Sequence, residues 1–295
     1  MSAVLSVRPA RVSTALLVVA GVLWGTGGLA GALLQSAAGL APVPVAAYRL
    51  LIGGGLATLA VASQLKYLRG RVALSRLLVS GGLLAEFQAA YQVAVAQISV
   101  SLATLITIGC VPVFVAVVDA VRWRRVPGRR TVLAVGGSLV GLVLLSGGGT
   151  AAGGWQGVSG VVMSLLAGAG FAALTLVSAR AVSGQDAITS VALLLGGVFL
   201  VPFALVDGMA IPLTWDVLSL LVYLGVVPTA VAYGAYFLGL RRAQPTAAAL
   251  ATMLEPLTAT VLAVGFHGER LTSLGVVGAL LISGALALYY LAPAS

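Results

Sequence analysis

The sequence contains very little charge. Only 8% of its 295 residues are charged, whereas 60% are hydrophobic and the mean hydropathy is +1.13. Soluble domains carry about 25% charged residues, and a water-soluble globule of this size could not cover its surface with so few. The composition therefore excludes a cytosolic enzyme, a disordered protein and a nucleic-acid-binding protein.

Cysteine, histidine and lysine are almost absent. The single cysteine, Cys110, lies in an apolar stretch without a partner, which excludes a disulfide framework and a thiolate metal cluster. One histidine, His267, cannot form a multi-histidine metal site. The single lysine, Lys66, follows no glycine-rich loop, so the sequence has no nucleotide-binding motif. We therefore expect neither a metal nor a cofactor.

Long apolar stretches fill most of the chain. A helix that crosses the hydrocarbon core needs about 20 mainly apolar residues. Ten stretches meet this requirement: Ser13–Leu34, Val43–Ser63, Val72–Ala96, Ser99–Val121, Thr131–Gly148, Gly157–Val182, Ala187–Val206, Val217–Leu240, Thr246–Phe266 and Leu271–Leu291. The first is too long for a signal peptide, has no convincing cleavage site and precedes nine others, so we expect it to be retained.

The basic residues predict the orientation of these spans. If successive spans alternate in direction, the basic residues of the loops, from Arg8 to Arg242, fall on one side, and the other side holds only Arg270. The positive-inside rule then places both termini in the cytoplasm. The net charge of +9 is thus a topology signal and a candidate contact with anionic lipids, and we expect a multi-pass protein of the cell (inner) membrane.

The two halves of the sequence share an internal repeat. Glycine or proline features of the first half recur in the corresponding span of the second half, 143 or 144 residues later. The matched positions are Gly25 with Gly168, Gly53-Gly54 with Gly196-Gly197, Pro112 with Pro256, and Gly141 with Gly284. Four matches at a nearly constant shift indicate that each half forms one structural unit.

Each repeat holds five spans, and because five is odd, the second repeat enters the membrane from the opposite side. We therefore predict an all-α membrane protein with ten transmembrane helices as two inverted five-helix repeats around a central cavity. The divisions are a cytoplasmic segment 1–12, repeats at 13–148 and 157–292, an extracytoplasmic linker 149–156 and a cytoplasmic end 293–295. This architecture is typical of alternating-access carriers, although some channels also have inverted repeats.

Several short motifs resemble a known family. Trp24-Gly25, Arg49, Leu254-Glu255-Pro256 and Gly268-Glu269-Arg270-Leu271 are similar to the EamA-type proteins of the drug/metabolite transporter superfamily. The resemblance implies two five-helix repeats and export of small metabolites, often amino acids or related amphipathic compounds, through a central cavity. In the first repeat, Arg124-Arg125-Val126 replaces the acidic motif.

Three ionisable residues are the clear candidates for function among those inside predicted spans, where a charge costs about 2.5–3.5 kcal/mol at a helix centre. Glu255 in span nine is expected to bind a cationic group or to carry a proton; the alternative is a protonated glutamate bonded to a neighbouring helix. Glu86 in span three and Arg49 in span two form a candidate pair, and the alternative for Arg49 is that it reaches the outer surface. We expect all three to serve ion or proton coupling.

Polar and aromatic side chains inside the spans are candidates for the cavity wall. Gln88, Tyr91 and Gln92 share one face of span three, while Glu86 lies about 200° from Gln88 around the helix. Three hydrogen-bonding side chains would be costly against lipid. For each aromatic residue, ordinary helix packing is the alternative. The complete set of substrate-binding candidates is Trp24, Gln88, Tyr91, Gln92, Phe171, Tyr233, Tyr236 and Phe237.

Three prolines, Pro112, Pro228 and Pro256, lie near the middle of predicted helices. Pro256 lacks a backbone N–H and so frees the carbonyl of Thr252. The three are candidates for gates, with static kinks as the alternative. Glycine spacings such as Gly27-x-x-x-Gly31 predict close contacts between helices.

The predicted function is a secondary carrier, driven by a substrate gradient, the membrane potential or protons. A membrane-embedded enzyme and a passive channel are the alternatives; the spans contain no Gly-x-Ser-x-Gly motif and no paired aspartates that would favour an enzyme. The expected partners are a small-molecule substrate and the lipid bilayer, without nucleic acid. The sequence leaves a monomer and a homodimer equally open.

Overall fold

The computed structural model describes residues 2–98, 100–124, 126–145, 154–180, 182–267 and 272–291, and every element within them is helical. Arg125, the larger part of the predicted linker 149–156, the Gly268-Glu269-Arg270-Leu271 motif and the predicted end 293–295 lie outside these residues.

The α-helices of this described part, in chain order, are α1 (Ser2–Ala38), α2 (Pro42–Ala60), α3 (Arg71–Gln97), α4 (Val100–Trp123), α5 (Arg129–Leu145), α6 (Gly154–Ser178), α7 (Gln185–Asp207), α8 (Trp215–Gly225), α9 (Ala232–Leu240), α10 (Pro245–Ala251), α11 (Leu254–His267) and α12 (Ser273–Leu291). A 3-10 helix, Ala62–Tyr67, follows α2. A π-helical turn, Val226–Val231, joins α8 to α9.

Proline and glycine fix several helix ends. Pro42 takes a first-turn position of α2, where a missing N–H removes no helix hydrogen bond. Gly184 and Gly208 flank α7 with φ angles of +73° and +88°, which glycine adopts without steric cost. The ends of α7 therefore follow directly from the sequence.

Eight helical segments among the described residues are long and apolar enough to cross a membrane. They correspond to predicted spans one to four, six to eight and ten. Span five corresponds to α5, which has 17 residues. Span nine is divided into α10 and α11: the carbonyl of Thr252 cannot bond to Pro256, which has no N–H, and accepts the N–H of Glu255 at 3.0 Å instead. The structure thus has many membrane-crossing helices, and the predicted total of ten stays a prediction.

Helices α2 and α7, the second helices of the two halves, pack backbone against backbone. A Cβ atom at Gly197 would lie 2.8 Å from the backbone nitrogen of Leu51, and one at Gly54 would meet the backbone of Leu194. The contact therefore moves forward along α7 as it moves backward along α2, which means that the two helices run antiparallel. The glycine pairs matched in the sequence repeat supply this contact.

Helices α5 and α12, the last of each half, pack in the same sense. A Cβ at Gly141 would lie 2.7 Å from the carbonyl oxygen of Gly278, whereas Nε of Arg130, near the start of α5, donates to the carbonyl of Leu288 at 2.9 Å. These helices also run antiparallel. In addition, α3, the third span of the first half, packs on α6, the first span of the second half. The equivalent contact, in which α8 and α9 of the second half pack on α1 of the first, is also present. The main helix contacts are therefore the same when the two halves are exchanged.

The main core lies between the two halves. It contains Leu17 and Trp24 of α1, Leu84 of α3, Phe171 of α6 and Tyr236 of α9. Many valine and leucine side chains cover the outer surface, an arrangement that suits lipid rather than water.

We expect Gly141→Ala to destabilise the protein, because the new Cβ would lie 2.7 Å from the carbonyl oxygen of Gly278 and 2.9 Å from the nitrogen of Ile282. Overpacking of this kind costs about 1–3 kcal/mol. Gly136→Ala is the matched control in the same helix, since nothing lies within 4 Å of its Cβ position, and it should be neutral or stabilising. Thermal unfolding in detergent measures both; equal melting temperatures would contradict the close contact.

Candidate functional site: a polar cavity between the two halves

A cavity of about 370 Å³ lies between the two halves. Helices α1 to α4 line it from the first half, and Phe171, Tyr233 and Glu255 are among the residues that line it from the second. Gln35, near the end of α1, and Pro42, at the start of α2, also belong to the wall. The cavity therefore extends toward the end of the molecule at which α1 finishes.

Eight of the predicted site residues line this cavity, and they are Trp24, Arg49, Gln88, Tyr91, Gln92, Phe171, Tyr233 and Glu255. Tyr91 and Thr104 share a hydrogen bond of 2.7 Å between their hydroxyls. Nε1 of Trp24 is buried and has no hydrogen-bond partner among the described residues. The wall thus combines aromatic faces with polar groups that have unused hydrogen-bonding capacity.

Tyr236 and Phe237 do not line the cavity, which corrects the prediction for these two residues. Tyr236 lies nearly one turn beyond Tyr233 along the helix and is fully buried. Its ring centroid lies 5.0 Å from that of Trp24 and 5.6 Å from that of Phe237. Because each turn of an α-helix advances about 5.4 Å, the two residues lie deeper than the cavity wall, behind Trp24 and Tyr233.

The three candidate prolines also lie outside the cavity wall. Pro112 is inside α4, which continues through it, and Pro256 is in the first turn of α11, after the break that follows α10. Pro228 lies in the π-helical turn, where its ring packs against Gly27: a Cβ at Gly27 would lie 3.1 Å from the Cβ of Pro228. The two matched prolines therefore do not produce matching breaks.

The π-helical turn holds Arg49. Pro228 has no N–H to offer the carbonyl of Leu224, and the hydroxyl of Thr229 donates to this carbonyl at 2.7 Å instead. The same hydroxyl oxygen accepts a hydrogen bond from Nε of Arg49 at 3.2 Å, and the carbonyl of Pro228 accepts one from Nη2 at 3.3 Å. A guanidinium has five N–H groups, so three remain without an acceptor within the described part of the chain.

Glu255 faces the same cavity from the first turn of α11. Its carboxyl group forms no ion pair or hydrogen bond with another described side chain, and it lines the same cavity wall as Arg49. The amino terminus of a helix carries a partial positive charge, which favours an acidic side chain there. The cavity therefore presents one guanidinium and one carboxyl group, each with hydrogen-bonding capacity left for a ligand.

Glu86 does not pair with Arg49, which corrects that expectation. It lies outside the cavity wall, where its carboxylate packs against the backbone of Gly170, and its Oε2 is buried without a hydrogen-bond partner among the residues described. Rotation around α3 explains the difference: with Gln88 facing the cavity, Glu86 points toward α6. Arg49 finds its acceptors on the π-helical turn instead.

Sequence reasoning missed the small and hydroxyl-bearing residues of the wall. Thr104, Thr107 and Thr252 lie in the lining, as do Gly28 and Gly31. Nothing lies within 4 Å of a Cβ placed at Gly28, so this glycine provides cavity volume, whereas Gly27 makes a close contact with Pro228 as its spacing predicted. A threonine inside an apolar span is the signal that could have identified the hydroxyl groups.

Comparisons with known proteins agree with this architecture. Residues 12–147 and 158–291 match the EamA-like transporter family. An uncharacterized transporter of Bacillus subtilis (strain 168), YwfM, is 30% identical over 276 residues, which cover 90% of this chain and 92% of the relative. An uncharacterized transporter of Archaeoglobus fulgidus is 29% identical over 117 residues, covering 38% of this chain and 40% of the relative.

A crystal structure that is 20% identical in sequence superposes with a TM-score of 0.77 and covers 95% of this chain and 97% of the other. This likeness shows a shared fold. The two halves match one and the same family, as the resemblance of Trp24-Gly25 and Leu254-Glu255-Pro256 predicted. The chain belongs to the EamA-like transporter family.

Proposed function

We propose that the protein is a secondary active transporter of the cell (inner) membrane. It exports small metabolites, such as amino acids or related amphipathic compounds, by alternating access. Membership in a transporter family supports the general class. The observation that carries the substrate class is that Arg49 and Glu255 line the same cavity, each with hydrogen-bonding capacity left for a ligand.

The proposed architecture has ten spanning segments in two inverted repeats, over residues 13–148 and 157–292, joined by the extracytoplasmic linker 149–156. Helix α5 and the pair α10 and α11 supply the fifth and ninth segments. The antiparallel packing of α2 with α7 and of α5 with α12 supports inversion, because equivalent helices of two parallel repeats would point the same way.

Basic residues of both halves meet at one end of the molecule. Nη1 of Arg76 in α3 donates to the carbonyl of Arg180, beyond α6, at 2.7 Å, and Arg241 forms an ion pair with Asp186 at the start of α7. The positive-inside rule makes this end cytoplasmic. Residues 1–12 and 293–295 are then cytoplasmic, and the central cavity faces the outer side.

The cavity chemistry fits a zwitterion with an apolar side chain. With Nε bonded to Thr229 and one N–H of Nη2 bonded to Pro228, the other N–H of Nη2 and those of Nη1 remain for a carboxylate, which arginine binds through two parallel hydrogen bonds. Glu255 can accept an ammonium group. Trp24, Phe171 and Tyr233 offer aromatic faces for the side chain, and a volume of 370 Å³ suits a small metabolite.

The same carboxylate provides a route to proton coupling. A proton and the substrate ammonium compete for Glu255, so release of substrate to the outside would leave the site ready to take up a proton. Return of that proton to the cytoplasm would then drive the export cycle. Glu86 is the second candidate for this role, since its buried Oε2 has no partner in the described part of the chain.

Cells that express the chain should retain less of a toxic amino acid analogue than control cells, with unchanged retention of a cationic dye. In proteoliposomes, an unlabelled amino acid inside should accelerate entry of the same labelled amino acid, because a carrier returns faster when loaded. Flux without this counterflow would indicate a channel. Export of the dye alone would replace the zwitterion by a cation as the substrate class.

We expect Glu255→Gln to remove the pH dependence of transport, because an amide cannot exchange a proton. Asp216→Asn is the matched control, since this exposed carboxylate at the start of α8 lies outside the cavity. Initial rates in proteoliposomes between about pH 5 and 8 measure both. Transport by Glu255→Gln with unchanged rate and pH profile would eliminate Glu255 from coupling, and loss of the pH profile in Glu86→Gln alone would assign the role to Glu86.

We expect Thr229→Val to raise the KM for a transported amino acid about tenfold, equivalent to about 1.4 kcal/mol, because the isosteric valine cannot hold Nε of Arg49. Thr229→Ser keeps the hydroxyl and should stay near the parent value. Uptake of the corresponding amine, which lacks the carboxylate, separates positioning from general damage. An equal loss for the amine and the amino acid would contradict a role in orienting Arg49.

A further inference from the structure

A second cavity, of about 670 Å³, lies at the end of the molecule where the basic residues of both halves meet. Its wall includes Ala116 and Asp119 of α4, Leu176 of α6, Ala179 just beyond it, and Gln244, which precedes α10. We call this cavity the inner vestibule. The central cavity opens toward the opposite end, through Gln35 and Pro42.

The two cavities follow each other along the same helices. On α6, Phe171 lines the central cavity and Leu176 lines the inner vestibule. They are five positions apart, which corresponds to about 8 Å along the helix axis. On α4, Ile108 and Ala116 face the central cavity and the vestibule in the same order. The cavities are therefore two compartments in series with a thin layer between them.

This layer is closely packed. It contains Thr175 of α6 and Tyr236 of α9, both fully buried, together with Val111, Val115 and Ala248, which are also fully buried. The Tyr236 ring centroid lies 5.7 Å from that of Phe171, which belongs to the wall of the central cavity. Mainly apolar side chains thus separate the two compartments.

A hydrogen bond between two side chains crosses this apolar layer, from α9 to α6. The hydroxyls of Thr175 and Tyr236 lie 2.7 Å apart. Because Thr175 already donates its hydrogen to the carbonyl of Phe171 at 2.9 Å, its oxygen is the acceptor and Tyr236 is the donor. The bond holds the aromatic ring of Tyr236 in the layer between the two compartments.

Among the described residues, no equivalent bond closes the outer mouth. Ala32 occupies the position of α1 that corresponds to Thr175, 143 residues earlier, and it lines the open central cavity. Alanine has no hydroxyl with which to fasten a facing side chain. The first helix of each half therefore differs at this position: in α6 a hydrogen bond closes the inner end of the central cavity, and in α1 an alanine leaves the outer end open.

We propose that the inner vestibule is the cytoplasmic compartment of the substrate path and that the Thr175–Tyr236 bond is the inner gate between it and the central cavity. This inference rests on the proposed transport function. Opening the gate requires the ring of Tyr236 to leave its place under Trp24 and Phe171. Substrate entering from the vestibule then reaches Arg49 and Glu255.

The test measures access through the layer without any substrate. In a Cys110→Ser background, Ala32→Cys places a thiol on the wall of the central cavity, and a charged, membrane-impermeant methanethiosulfonate reagent is applied to inside-out vesicles. Tyr236→Phe and Thr175→Val should each raise the rate of labelling from the inner side about five- to tenfold, the effect of one lost hydrogen bond. The double variant should exceed neither single variant by more than about twofold, since both remove the same bond.

Two controls keep this test specific. Thr175→Ser retains the hydroxyl and should label within about twofold of the parent. Tyr48→Phe removes a tyrosine hydroxyl that donates to the carbonyl of Met209, away from the layer, and should also leave the rate unchanged. Labelling rates of Tyr236→Phe and Thr175→Val equal to the parent would overturn the gate, and so would an equal increase in Tyr48→Phe.

The outcome is independent of the transport assay. Faster inner labelling in a protein that shows no counterflow would retain the gate and reject the proposed carrier. Normal counterflow with unchanged labelling would retain the carrier and reject the gate.

Discussion

Hydrocarbon offers no hydrogen-bond partner, and this constraint decides where polar groups can lie in this protein. At Pro228 the helix loses a donor, and Thr229 replaces it within the same turn. That repair places a hydroxyl oxygen and a carbonyl at the edge of the cavity, where both accept hydrogen bonds from Arg49. The interruption of the helix at Pro228 thus positions the guanidinium of Arg49 in the proposed substrate site.

The two halves share a fold but divide the chemistry unequally. With the shift of 143 residues, Ala192 corresponds to Arg49, and Glu86 corresponds to Thr229. One side of the pseudo-symmetry therefore holds a bonded arginine, and the other holds a carboxylate oxygen without a partner in the described structure. A symmetric cavity would accept a zwitterion in two opposite orientations. Arg49 therefore has no cationic counterpart in the second half, and in the proposed site a zwitterion would bind in a single orientation, with its carboxylate at Arg49.

Composition and periodicity predicted the helical membrane fold, the repeat and the polar face of α3 that Gln88, Tyr91 and Gln92 form. These features depend on residues close together in sequence or on a constant shift between the halves. The partner of Arg49 could not be predicted in this way, because Thr229 lies 180 residues away and its position depends on a π-helical turn. No residue pattern distinguishes that turn from an ordinary kink at a proline.

The roles of the glycines in α1 could not be predicted from the sequence either. A Cβ at Gly25 would lie 2.6 Å from the carbonyl of Glu255, while Gly28, less than one turn further on, faces open cavity. The residue type is the same, and the function is decided by the neighbouring helix. Packing against α11 on one face and empty space on the other give α1 both of its roles, as a close contact and as a cavity wall.

Tyr236 lies in the thin layer that separates the two cavities, and its hydrogen bond helps this layer to exclude water. A layer about 8 Å thick excludes water only if its polar groups are bonded to each other, and the Thr175–Tyr236 bond satisfies this condition within a mainly apolar surrounding. When the bond breaks, both hydroxyls need new partners, which only water or a polar substrate can provide. In the proposed gate, opening and wetting are therefore one event, and a substrate that brings its own polar groups lowers the free energy of that event.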